Sequence, residues 1–252
     1  MNAMDLLQSH RYVEAIAACG QILSIKSGDI AATSIMAKAL RALERYEEAL
    51  PLFERIDAQE KGRSNIIPGH PGRQMDISCL YWFMGDHAKA IALMRGMVDR
   101  ILDGSIQYST DIAGGMTQGL LLSYMGVTAH RPDQMAFALD YMRKRTRKCF
   151  PGSWPNPVVR YYLGEISFGD LLATATGQKG LAQAVEVARV KLLSRRQLCV
   201  VLFHDGIKSR INGDEAGCLA RMRECHALEN PLIEHEWYLA RYEVEQAGLE
   251  LQ

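Results

Sequence analysis

The chain has 252 residues, and its 29 lysines and arginines are balanced by 29 aspartates and glutamates. At this length about 75% of the unfolded chain's surface can be buried without metals or disulfides. The 48% hydrophobic, 23% charged composition is that of a folded globule and not of a disordered tail, while zero net charge argues against bulk nucleic-acid affinity, which needs a basic surface to displace counterions.

Met1 to Leu7 carry no basic start followed by an apolar core, so they do not read as a secretion signal. Ile16-Ala17-Ala18-Cys19-Gly20 has the form of a lipoprotein cleavage box, but His10, Arg11 and Glu14 stand where such a signal needs an apolar run. No apolar stretch approaches the roughly 18 residues of a membrane span, so no membrane association is expected. The six cysteines (Cys19, Cys79, Cys149, Cys199, Cys218 and Cys225) include no CxxC pair, and most lie in apolar stretches. Free cysteine there packs as a small hydrophobe, and the expectation is reduced thiols in a cytoplasmic protein.

An internal repeat organises the N-terminal half. Arg11-Tyr12-Val13-Glu14-Ala15-Ile16 returns as Arg45-Tyr46-Glu47-Glu48-Ala49-Leu50, so Ala15 and Ala49 are 34 residues apart. Gly85-Asp86-His87-Ala88-Lys89-Ala90-Ile91 is a third copy, displaced by seven further residues that fit an inserted loop over Lys61 to Gln74. Asn212-Gly213-Asp214-Glu215-Ala216-Gly217-Cys218-Leu219 is a fourth. A 34-residue period with this pattern resembles the tetratricopeptide repeat (TPR). The resemblance implies an all-α fold: a right-handed superhelix of helix–turn–helix units closed by a C-terminal capping helix.

The residues suit that geometry. Ala37 and Ala49 are small where the two helices of a unit approach, with Leu40, Leu43, Phe53 and Ile56 between them, and Gly206 precedes Cys218 by the same twelve residues. Leu80, Phe83, Ile91, Met94 and Met97 follow amphipathic helical spacing. Further along, helices are predicted from Ile112 to Gly126, from Pro132 to about Lys148, and from Asn156 to Leu163. Ser167 is the expected N-cap of a following helix, with Asp170 in its first turn. Gly177 to Gly180 breaks the chain before a helix from about Leu181, and Leu232 to Gln246 reads as the capping helix. The proline-rich joint over Cys149 to Pro157 divides the solenoid into repeats over 1–148 and repeats plus cap over 149–252.

Trp154-Pro155, Val158, Tyr161-Tyr162-Leu163-Gly164-Glu165-Ile166-Ser167, Asn230 and Glu234 resemble the C-terminal half of NlpI-type TPR lipoproteins. That resemblance implies a non-enzymatic adaptor.

Other constellations are weaker. Cys218, Cys225, His226, Cys199 and His204 lack the tight ligand pairs of a zinc site, so no metal is expected. Cys199, His204 and Asp205 offer the residue types of a nucleophile, base and orienting acid, but Cys199 and His204 are five apart and on different helix faces. Neither a phosphate loop nor a hydrolase or metalloprotease motif is present, and no cofactor and no enzyme activity are expected. Arg143-Lys144-Arg145-Thr146-Arg147-Lys148 is the one dense basic run, read either as an acidic-partner or nucleic-acid patch or as a solvated helix end complementing the dipole; with net charge zero, no nucleic-acid partner is expected.

By repeat register, Lys38 and Arg41, Trp82 and Phe83, and Phe203 and Arg210 are the candidate partner-binding residues of a concave groove, with Trp82 equally suited to packing against the inserted loop. The functional expectation is a protein-interaction scaffold that binds a protein or peptide. An immunity protein neutralising a toxin and a small-ligand or peptide sensor are the alternatives.

Overall fold

The computed structural model describes residues 2–61, 71–108 and 114–248. Its regular structure, among the described residues, is entirely helical. The helices are α1 (Ala3–Gln8), α2 (Tyr12–Ile25), α3 (Ile30–Ala42), α4 (Tyr46–Lys61), α5 (Pro71–Phe83), α6 (His87–Leu102), α7 (Met116–Thr128), α8 (Pro132–Thr146), α9 (Asn156–Tyr162), α10 (Phe168–Thr176), α11 (Leu181–Val190), α12 (Leu192–Ile211), α13 (Glu215–His226) and α14 (His235–Gln246). The loop expected over Lys61 to Gln74 is shorter than its sequence suggests, since Lys61 ends α4 and Pro71 to Gln74 already belong to α5; residues 62–70, and Ile112 and Ala113 at the expected start of α7, lie outside the described residues. Contacts divide the chain into two compact units, Met1–Met97 and Val98–Gln252, and the proline-rich joint lies inside the second.

In the first unit, α2 packs on α3, α3 on α4 and α4 on α5. The spacing of small residues explains the close approach, since Ala15, Ala37 and Ala49 are completely buried, as are Phe53 and Ile56 between them. The lipoprotein-like box is a stretch of α2, with Cys19 buried in the core. Arg11 and Glu14 pair across one turn, and Arg45 and Glu48 repeat that pair 34 residues later. Asp29 caps α3 through the amide of Ala32.

The clearest repeat is in the backbone. Six helices end in the same turn, with a left-handed residue at His10, Glu44, Gly85, His130, Gly164 and Gly213 (φ 58°, 60°, 81°, 53°, 75° and 83°). In each, the next amide reaches back to a carbonyl five residues earlier: Arg11 to Leu6, Arg45 to Leu40, Asp86 to Tyr81, Arg131 to Gly126, Glu165 to Arg160 and Asp214 to Ser209, all at 2.8–2.9 Å. This is the Schellman arrangement, which satisfies carbonyls orphaned at a helix end and turns the chain into the next helix. Its recurrence at His130, Gly164 and Gly213 carries the helix-turn-helix geometry through the second unit, where the side-chain repeat fades.

The second unit is built around α12, which contacts α7, α9, α10, α11, α13 and α14. Leu198 to Ile207 are buried without interruption, so the middle of this helix is enclosed on every side. Gly206 permits the α12–α13 contact: a Cβ there would lie 3.0 Å from the Arg221 Cβ and 3.1 Å from the Cys218 carbonyl. Ser167 caps α10 through the amide of Asp170, and Gly177 ends that helix in a left-handed conformation. Trp237 in α14 donates its indole N–H to the Leu228 carbonyl at 2.9 Å. Among the described residues, no helix is long and apolar enough to cross a membrane.

Candidate functional site

The expected groove residues fall into two groups. Trp82 is completely buried and stacks on His87 with ring centroids 4.1 Å apart, and Phe83 is buried against Tyr46 at 4.9 Å. Phe203 is also fully buried, edge-on to Tyr124 at 5.1 Å. These three aromatics are core, not anchors presented to a partner. For Phe203 the cause is the enclosure of α12, because a face inferred from register is open only when no other helix covers it. Arg210 is turned inward to Glu215 and to Glu243, 2.8 Å away, and donates to the Thr128 hydroxyl.

The other group is polar and lies between α3 and α5, each the first helix of its pair. Arg41 is 1% exposed, a depth a guanidinium reaches only with a carboxylate beside it. Asp76 supplies one, its Oδ1 2.6 Å from Arg41 Nη1. Arg73 stands farther off, 3.9 Å from Asp76 Oδ2 and 3.8 Å from Glu60 Oε1. Lys38, one turn before Arg41, is half-buried, and no acidic side chain among the described residues pairs with its ammonium group. Burial holds the Lys38 pKa below the ordinary lysine value; Asp76 opposes that shift, while Arg41 and Arg73 add to it. Of Lys38, Arg41 and Arg73, Lys38 is the cation with no carboxylate paired to it among the described residues. Perturbed charges of this kind occur both at binding sites and in structural ion-pair networks.

In the second unit several buried polar groups are tied to one another. Tyr124 donates to Glu243 at 2.8 Å, which also receives Arg210. Tyr161 donates to Asp205, whose other oxygen lies 2.6 Å from Arg221. His204 meets Tyr162 through Nδ1 at 3.0 Å and Glu236 through Nε2 at 3.5 Å. The possible nucleophilic set is thereby separated. Asp205 is engaged by Tyr161 and Arg221 and His204 by Tyr162 and Glu236, while Cys199 faces Cys225 with sulfurs 3.4 Å apart. Burial pushes the Cys199 thiol well above its ordinary pKa, which disfavours the reactive thiolate. Cys218, on the neighbouring α13, is likewise pushed up to about 12 by burial. Among the described residues, no group of three or more His, Cys, Asp or Glu side chains gathers as a metal site.

The repeat register names Lys38 and Arg41 as groove residues and gives no sign of Asp76, the partner of Arg41, or of the neighbouring Arg73. Arg73 falls within the span assigned to the inserted loop and Asp76 just after it, where the repeat register is displaced by seven residues.

Residues 6–67 match a family model described as tetratricopeptide repeat. No curated protein and no solved structure matches the chain. The match covers the pairs in which Ala15, Ala37 and Ala49 form the close helix contacts, and together with the all-helical architecture it supports a TPR repeat protein.

Proposed function

We propose that the chain is a non-catalytic scaffold that binds a partner protein through the α3–α5 seam of the first unit. The observation carrying this reading is Lys38, a half-buried ammonium without an acidic partner, beside Arg41 and Arg73. A half-buried cation gains most from an incoming acidic group, because the desolvation cost is already met by the fold and the new ion pair forms where water screens it weakly. The TPR match supports the general role, since such repeats are interaction scaffolds. Arg41 and Asp76 hold the seam in shape, and Lys38 supplies the free charge.

The test is affinity capture from lysate followed by titration with the captured partner. Lys38→Met is expected to weaken binding by about tenfold, the order of one charge-assisted contact, with an unchanged circular dichroism spectrum. A partner held equally well by Lys38→Met overturns the seam. The lowered Lys38 pKa adds a sign. Wild-type binding should fall with rising pH at lower pH than an ordinary lysine would dictate, and Lys38→Arg should remove that alkaline loss.

A further inference from the structure

The basic run at the end of α8 does two different things. Arg145 is used internally: its guanidinium donates to the Gly114 carbonyl at 2.8 and 3.0 Å and to the Tyr108 carbonyl at 3.2 Å. Lys144 pairs with Asp140 one turn back at 2.7 Å. Arg143 and Arg147 remain exposed, and no carboxylate among the described residues pairs with either. They stand four residues apart on one helix face, where like charges repel. The dipole of α8 favours cations in its last turn, but Lys144 and Arg145 already meet that demand.

Arg143 and Arg147 border a cleft of about 330 Å³ between α8 and α9, walled also by Leu139, Tyr162, Leu163 and Glu165. Glu165 is occupied by Arg160 at 3.1 Å, and the Tyr162 hydroxyl by His204, so neither neutralises the arginines. The cleft thus sets two uncompensated guanidinium groups beside two leucine side chains, Leu139 and Leu163. We infer that it binds an acidic segment of another protein, a carboxylate lying between Arg143 and Arg147 and a neighbouring apolar side chain resting on Leu139 and Leu163. The guanidinium fork matches a carboxylate in two-point geometry. A nucleic acid fits less well, because the free cations are confined to one helix end and do not form a stripe following a backbone. This site is separate from the Lys38 seam and does not depend on it.

Fluorescence anisotropy on the full chain tests the assignment, with a fluorescein-labelled peptide Glu-Glu-Leu-Phe-Glu-Glu and a labelled oligothymidylate of similar length as probes. The peptide is expected to bind saturably, with affinity that falls as salt is added. Arg143→Ala with Arg147→Ala should weaken it by tenfold or more, and both side chains are exposed, so the fold should be unaffected. Replacing Leu-Phe of the probe by Gly-Ser should weaken it several-fold, and Lys38→Met should leave it unchanged. Any of four results overturns the inference: no saturable peptide binding; binding undiminished in the double variant; equal affinity for the Gly-Ser peptide; or oligothymidylate binding more tightly than peptide and losing that binding in the double variant.

Discussion

The two units bury polar groups in opposite ways. In the first, Arg41 and Asp76 form one deep ion pair between successive repeats, with Arg73 close enough to share the aspartate and Lys38 left over. In the second, three sets of buried polar groups join distant helices: Tyr124–Glu243–Arg210, Tyr161–Asp205–Arg221 and Tyr162–His204–Glu236. Where repeats stack regularly, small residues at fixed spacing hold the helices, and polar groups are free for other uses. Where the helices are irregular, specific polar bonds between distant segments set their arrangement.

That contrast makes the second unit the more fragile to loss of a single charge. Glu243→Ala takes the acceptor from two buried donors, the Tyr124 hydroxyl and one Arg210 N–H, while Glu215 still neutralises Arg210, and should destabilise by about 2–5 kcal/mol, at about 1–3 kcal/mol for each donor left unmet. Arg41→Ala leaves Asp76 with Arg73 nearby and should cost less, about 1–3 kcal/mol. Urea denaturation of the two variants checks the order, and a larger loss for Arg41→Ala would reverse the comparison.

A smaller effect separates the units by pH. His226 is half-buried in the second unit, its ring 4.6 Å from that of Trp237. Burial, with a lesser push from Arg241, lowers its pKa below the ordinary histidine value. The unfolded chain takes up this proton near pH 6.5 while the folded chain resists it. The stabilising contribution is therefore complete above about pH 6.5, and it is lost as pH falls from there to the folded pKa. His226→Phe keeps the ring contact and should flatten that part of the stability profile, measured by denaturation at about pH 7.5 and 5.5.

The same contrast explains what could be read from residues alone. Ala15, Ala37 and Ala49 revealed the first unit because a close helix contact demands a small side chain at a set interval. Ser167 and Gly177 marked helix ends for equally local reasons. The Tyr124–Glu243 bond leaves no such trace, since its partners are 119 residues apart and either residue alone suits a solvated helix face. Trp82 and Phe203 were placed by register on an open face, and register does not record whether another helix covers it. Lys38 can be named from register because it lies within the regular repeat; the Arg143–Arg147 cleft depends on how α9 folds back beside α8.

The recurring turn also bears on how near this protein stands to its own stability limit. His130 occupies a left-handed conformation that costs an ordinary residue about 1–2 kcal/mol, whereas Gly85 and Gly213 hold the equivalent positions without that penalty. Glycine carries about 0.5–1 kcal/mol of extra chain entropy when unfolded, so His130→Gly should gain roughly 0.5 kcal/mol and melt slightly higher. Selection has kept sound turns here without perfecting them, as expected once a fold exceeds the threshold its role requires. The turns thus hold a reserve that an engineer could draw on without touching either proposed binding surface.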